Sequence, residues 1–435
     1  MNNTVKVVGA GLAGCEAAWQ LAMKGINVEL IEMKPGKSTP AHISPDYAEL
    51  VCSNSLRGNE TSNAVGLLKE EMRRLGSLII QTADETRIPA GGALAVDREL
   101  FARSVTKKIK THQKIQVIES EATDIPDGNV IIATGPLTSD ILAEKIATLV
   151  SDKKMLNFFD SAAPIVTTDS IDMDKAYFAS RYNKGEADYI NCPMDKEQYI
   201  AFYKALISAQ KADVHGFEEK LVFEGCVPIE VMAKRGEDTM RFGPLKPVGL
   251  PDPKTGIEPY AVIQLRKDNK EATLYNLVGF QTHLKFSEQK RVFGMIPALK
   301  NAEIVRYGVM HRNTYLDSPK ILDKYYRLKE NKHIGFAGQI TGVEGYVESA
   351  ASGLLCGLET ARDLLGLPPA DFPRSTAIGA LAQYVSTGAV SNFQPMNINF
   401  GIIDPPDSKI KGKRNRGIAV SERSLQLINK IVDTL

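Results

Sequence analysis

The chain has 435 residues, 43% hydrophobic and 24% charged, a composition long and apolar enough for two or three cores and one that excludes a disordered chain. Its formal net charge of +1 excludes a global pull on nucleic acid, so an RNA would have to be held by local basic patches. Five scattered cysteines (Cys15, Cys52, Cys192, Cys226 and Cys356) form no CxxC pair, which argues against a disulfide framework and against any metal centre of the zinc type.

In chain order, the first element is a short apolar strand, Val5 to Val8, leading into Gly9-Ala10-Gly11-Leu12-Ala13-Gly14. No basic n-region or cleavage site precedes it, and no apolar run approaches the roughly 20 residues of a membrane span, so a cytoplasmic protein is expected. A helix from Cys15 to Met23 follows and stops at Gly25; a second strand, Val28 to Ile31, ends at Glu32. In this arrangement Gly9 makes the tight turn, Gly11 lets the backbone approach a pyrophosphate, and Gly14 lets the helix pack on the strand. The helix start faces the phosphates, and Glu32 stands where a carboxylate bonds a ribose hydroxyl. The unit predicts a Rossmann-type dinucleotide site without separating FAD from NAD.

Next, Cys52 lies in Val51-Cys52-Ser53-Asn54-Ser55-Leu56-Arg57, a polar stretch unlike the apolar setting of a structural thiol. The strand Val130 to Ala133 then ends in Thr134-Gly135, an ATG turn of the kind that closes the nucleotide sheet in two-domain flavoproteins. Mixed signals follow: a helix from Lys196 to Lys211, a turn-rich stretch from Phe242 to Gly256, and strands Tyr260 to Arg266 and Ala272 to Phe280. They predict an α+β insertion. Within it, Cys192 precedes Pro193 in what reads as a polar loop. Cys226 stands two residues ahead of Pro228, an early helical residue, with Lys234 and Arg235 beyond; a helix start and nearby cations both favour a thiolate.

Ile334 to Gly338 is another strand running into glycine, followed by Gln339, Gly342 and a small-residue helix from Val347 to Gly353. This second helix start, like the ATG turn, favours FAD. A helix to about Leu365, one from Thr376 to Ser386, a basic loop carrying Lys409, Lys411, Lys413, Arg414 and Arg416, and an amphipathic helix from Ser421 to Val432 complete the chain. The fold class expected is α/β: a Rossmann-type, glutathione-reductase-like FAD-binding domain (1–155 and 321–435) interrupted by an α+β insertion domain (156–320). The FAD-contacting residues expected are Gly9, Ala10, Gly11, Leu12, Ala13, Gly14, Glu32, Gly135, Gly338, Gln339 and Gly342.

Segments running nearly end to end, among them "GAGLAGCEAAWQLA", "TPAHISPDYAELVCSNSLR", "EGCVPIEVMAKRGEDTMRFGPLKPVGL", "LYNLVGFQTHLKFSEQKRVF" and "FAGQITGVEGYVESAASGL", resemble the folate- and FAD-dependent tRNA uracil-5-methyltransferases. That resemblance implies transfer of a one-carbon unit from 5,10-methylenetetrahydrofolate to carbon 5 of a T-loop uridine, with FAD reloaded by NAD(P)H. It implies Cys226 as the thiolate that adds to the base, and Cys52 in support near the flavin, shielding or trapping the one-carbon unit or assisting proton removal. His283 and Tyr346 are the implied folate lid. The basic residues Lys409 to Arg416, with Lys234 and Arg235, are candidate tRNA contacts. The alternatives are the related flavoprotein that builds carboxymethylaminomethyl groups on the wobble uridine, expected to be substantially longer, a plain NAD(P)H flavin oxidoreductase, and an RNA-binding protein with FAD as a structural plug.

Overall fold

The computed structural model describes residues 4–39, 41–150, 155–183, 186–212, 227–387, 393–406 and 410–435, with the side chains of 155–161, 183, 310–313 and 413 left aside. Its first sheet has five parallel strands in the order Ile334–Phe336, Asn129–Ile132, Thr4–Val8, Asn27–Glu32, Ile115–Glu119. Their near-continuous Val and Ile content fits strands covered on both faces. The chain runs outward from the first strand on one side and returns on the other, so the crevice at the carboxyl end of Thr4–Val8 is the switch point where such sheets bind ligands.

Two helices lie side by side on this sheet. Leu12–Met23 carries Ala13 and Ala17, and Tyr346–Leu364 carries Gly353 and Gly357 at the same spacing. A Cβ at Gly353 would stand 2.1 Å from the Ala13 carbonyl oxygen, and one at Gly357 2.6 Å from that of Ala17. Only glycine permits this approach, and it brings the N-termini of both helices to one crevice. The segment expected as two helices from Val347 to Leu365 is therefore one, because small residues and leucines alternate through it without a breaker.

A six-stranded antiparallel sheet takes its strands from residues 165 to 306, in the order Tyr177–Ala179, Tyr189–Met194, Ala261–Lys267, Leu274–Leu277, Ile165–Thr167, Ile304–Arg306. One face buries Ile190, Leu265, Tyr275 and Val166 against the helix Lys196–Ser208 and its neighbours. Met155–Ser161 and Met310–Leu316 pair antiparallel, so the strands that lead to and from this sheet run together. Among the described residues no helix is long and apolar enough to cross a membrane.

Two sequence expectations are corrected. Cys192 is not in a loop: it is buried in the strand Tyr189–Met194, opposite Ile263. The neighbouring strand ends at Tyr177, opposite Asn191, so Pro193 sits where its missing N–H has no ladder to interrupt. The basic stretch is not a loop throughout either: Lys413–Val432 is one helix, started by Gly412 at φ 87° and held by Val420, Ser424 and Ile428 against the core.

Candidate functional site

The crevice holds about 1160 Å³ of space, part of it open to solvent. Gly9, Ala10, Gly11, Leu12, Ala13, Glu32, Gly135, Gly338, Gln339 and Tyr346 line it; Gly14 and Gly342 do not. Gly9 has φ 97°, and a Cβ there would stand 2.7 Å from the Ala133 carbonyl oxygen, so the turn admits no other residue. A Cβ at Gly14 would stand 1.8 Å from the Gly9 oxygen, whereas one at Gly11 would meet nothing within 4 Å. Gly14 thus serves packing, and Gly11 leaves room for something outside the chain. Gly342, at φ 80°, makes close room for the Phe393 ring.

The first backbone bond of the Leu12–Met23 helix runs from Cys15 N–H to Gly11 C=O at 2.9 Å, and no side chain caps its start. The preceding N–H groups therefore face the crevice with the positive end of the helix dipole, a setting suited to a diphosphate. Glu32 accepts the N–H groups of Ala10 (2.6 Å) and Lys34 (2.9 Å), which fixes its carboxylate at the rim with lone pairs to spare. Ala48 N–H donates to Ala10 C=O at 2.9 Å, so the segment carrying Cys52 is pinned to the glycine turn itself.

Tyr346, the first residue of the Tyr346–Leu364 helix, links the crevice to Cys52. Its phenol oxygen accepts the backbone N–H groups of Cys52 (2.7 Å) and Ser53 (3.2 Å), and burial pushes its pKa well above the ordinary value. Arg57 pairs with Glu348 in the same helix turn, and Glu348 also accepts Ile398 N–H at 2.9 Å. Lys69, fully buried, donates to the carbonyls of Leu56 (2.8 Å) and Gly58 (2.7 Å), closing the tether from below.

Arg98, the first residue of the helix Arg98–Thr111, and residues from the antiparallel sheet complete the surroundings of Cys52. Arg98 is bidentate on Asp268 (2.7 and 3.0 Å) and donates to Leu50 C=O. Arg266 donates to Ser53 Oγ (2.6 Å) and Asn54 Oδ1 (3.0 Å). Sequence reasoning missed both arginines; the one signal was a charged Arg266 directly after the apolar positions of its strand, Ala261 to Ile263 and Leu265.

The other expected residues lie elsewhere. His283 does not line the crevice: it is buried, its Nδ1 2.5 Å from Glu230 Oε1, which also accepts the His283 N–H at 3.0 Å. Glu230 belongs to the short helix Ile229–Lys234, preceded by Pro228 as its cap, and Ile229 N–H donates to Gln281 C=O at 2.7 Å. The residues that follow Cys226 are thereby fastened to the loop that carries His283, between the strand Leu274–Leu277 and the helix Phe286–Phe293. Cys226 itself and Lys409 lie outside the described residues, as does the side chain of Lys413. Lys234 and Arg235 stand at the far end of that helix from Pro228. Lys411, Arg414 and Arg416 are exposed at the start of the basic helix, where Ser421 Oγ donates to Thr61 C=O at 2.6 Å, close in sequence to the Cys52 segment. Cys15, Cys192 and Cys356 are buried, and burial pushes their thiols up, the last two to about 12.

A family profile described as "Glucose inhibited division protein A" matches residues 4–368. The chain is 58% identical over 433 residues to the methylenetetrahydrofolate–tRNA-(uracil-5-)-methyltransferase TrmFO of Acetivibrio thermocellus, covering 99% of each chain. To the protein of the same name from Lactobacillus gasseri it is 59% identical over 427 residues, 98% of this chain and 97% of that one. Among solved structures, Aquifex aeolicus GidA superimposes with a TM-score of 0.69 at 16% identity, over 99% of this chain and 75% of that one, a likeness of fold.

Proposed function

The chain belongs to the folate-dependent tRNA (uracil-5-)-methyltransferases of the GidA family, and on that premise we propose how its residues divide the reaction. The enzyme transfers a one-carbon unit from 5,10-methylenetetrahydrofolate to carbon 5 of a tRNA uridine, with FAD as cofactor. We take residues 1–155 and 321–435 as the FAD-binding domain and 156–320 as the substrate-bearing insertion. The observation that supports the functional reading is that Tyr346 both lines the crevice and holds the Cys52 amide.

The crevice fits FAD. The open space at Gly11, the uncapped helix start and the fixed Glu32 carboxylate suit its diphosphate and ribose, and Gly135, Gly338 and Gln339 lie on the side where the second helix begins. When bound and reduced, FAD supplies the electrons that turn a methylene into a methyl group. NAD(P)H is the reductant we assign to it.

Carbon 5 of uracil becomes nucleophilic only when a nucleophile adds at carbon 6. Cys226 is the residue assigned to that step: its sulfur bonds to carbon 6, the electron pair moves through carbon 5 to the carbonyl oxygen, and carbon 5 attacks the methylene. Loss of the carbon 5 proton to a base then releases the carrier nitrogen and leaves an exocyclic methylene, and the thiolate departs from carbon 6 as that methylene is reduced to the methyl group. The fastening of the following residues to Gln281 and His283 holds this segment at one end of the antiparallel sheet. Cys52 is assigned a supporting role beside the cofactor, and Tyr346, which lines the crevice, a contact to folate. A T-loop uridine has to leave its stack to reach such a site, while Lys411, Arg414, Arg416 and their basic neighbours hold phosphates outside.

The assignment of Cys226 is tested with a T-arm hairpin carrying 5-fluorouridine, whose fluorine replaces the carbon 5 proton and blocks that elimination. Peptide mass spectrometry places the covalent RNA bond on Cys226; a bond on Cys52, with none on Cys226, reverses the two roles.

A further inference from the structure

On the antiparallel sheet, Tyr189, Arg266, Asn276 and Ile165 stand directly opposite one another on successive strands and so share one face, and Arg306 pairs with Ile165 across a register shift in the edge strand. That face looks toward the nucleotide-binding part. Arg266 reaches Ser53 and Asn54, Tyr189 Oη donates to Ala90 C=O at 3.2 Å, and Arg306 donates to Ala41 C=O at 3.2 Å. The polar groups of the row are chiefly donors. The Nδ2 of Asn276, a residue only 2% exposed, has no hydrogen-bond partner among the described residues. Leaving such a buried donor unpaired is destabilising, because its desolvation is not offset by a partner.

Charge points the same way. Arg98 stands close enough to both Arg266 and Arg306 to oppose their protonation; of the carboxylates that act on them, Asp268 is already bidentate on Arg98 and Glu49 accepts the N–H groups of Ile43 and Ser44. Burial, chiefly, pushes Arg266 and Arg306 below the ordinary arginine range. An anion placed among them would relieve both the repulsion between the guanidiniums and the idle amide.

The row also meets the crevice. Ala41, which Arg306 holds, precedes His42, and His42, Glu49 and Tyr346 all line the crevice wall. We propose that Arg306 and Asn276, with Arg266 behind them, form a carboxylate site that takes the glutamyl tail of the folate substrate as it leaves the crevice. The depth of Asn276 favours the end of a thin, flexible chain over a nucleic-acid phosphate, which carries a sugar on either side. The inference rests on the folate-dependent reading above.

The test compares two ligands on the FAD-loaded enzyme by calorimetry under nitrogen: tetrahydrofolate, and tetrahydropteroate, which has the same rings without the glutamate. The wild-type protein is expected to bind tetrahydrofolate about tenfold or more tightly than tetrahydropteroate. In Arg306→Gln that ratio falls toward one while tetrahydropteroate binds as before, and Arg306→Lys recovers part of it. Asn276→Leu reads the amide independently if Arg306→Gln fails to retain FAD. An unchanged ratio in the variants, an equal loss for both ligands, or a loss confined to tRNA affinity overturns the proposal. Failure of the wild-type enzyme to form ribothymidine would instead sink the folate reading itself.

Discussion

The phenol oxygen of Tyr346 accepts the backbone N–H of Cys52 at 2.7 Å, joining the first turn of a helix near the C-terminus to a segment that follows the nucleotide fingerprint. A residue 294 positions away thus sets where the Cys52 backbone stands relative to the crevice. The two ends of the chain are needed together to build this wall.

Tyr346→Phe keeps the ring and removes the acceptor. Two N–H groups lose their partner, and the single-turnover rate of methyl transfer is expected to fall about tenfold while the flavin absorbance per protein stays constant. An unchanged rate would show that the bond does not position Cys52.

Gly11→Ala and Gly14→Ala separate binding from folding. The first meets no protein atom within 4 Å and should leave the thermal midpoint of the FAD-free protein unchanged while weakening FAD retention. The second forces a Cβ to 1.8 Å from the Gly9 oxygen and should destabilise the fold itself by about 3 kcal/mol or more. Equal melting of the two FAD-free variants would contradict this division.

Glu71 ties three helices together: its carboxyl accepts Ala377 N–H (2.7 Å) and Ile378 N–H (2.8 Å) and meets the Ser424 hydroxyl. Burial raises its pKa from 4.5 to about 7. Between those values the folded chain keeps a proton that the unfolded chain has released. The stability linked to this proton is full below about pH 4.5 and is lost as pH rises through about 7. Urea midpoints measured from pH 5 to 8 should fall less steeply with pH for Glu71→Gln than for the wild type; parallel curves would refute the assignment.

Arg414→Gln combined with Arg416→Gln should weaken tRNA binding for all sequences alike and lower the slope of log affinity against log salt by about two. Fluorescence anisotropy at several salt concentrations measures it. A slope equal to that of the wild type removes the basic helix from the docking surface.

The nucleotide unit was legible because its signals are local: Gly9, Gly11, Gly14 and Glu32 fall within 24 residues, and each answers a steric or hydrogen-bonding demand of the turn. The pairing of Gly353 and Gly357 with Ala13 and Ala17 was not legible, since either stretch alone reads only as a small-residue helix. Cys192 was misread because Asn191 and Pro193 flank it, and proline's tolerance at that point depends on where a neighbouring strand stops. The basic helix was read as a loop because Gly412 and a run of cations resemble a turn, while the burial that extends the helix comes from Val420 and Ile428 further on. The arginines around Cys52 come from a helix start at position 98 and a sheet strand at position 266, brought together only by the tertiary fold. Sequence spacing carries no trace of that.

The most direct test of the account follows one product. Purified, FAD-loaded enzyme is incubated with 5,10-methylenetetrahydrofolate, NADPH and unmodified tRNA, and the digested nucleosides are analysed by mass spectrometry for the wild type and for Cys226→Ala. The account predicts ribothymidine from the wild type and none from Cys226→Ala, with equal FAD content in the two. Ribothymidine formed by Cys226→Ala at the wild-type rate would contradict it.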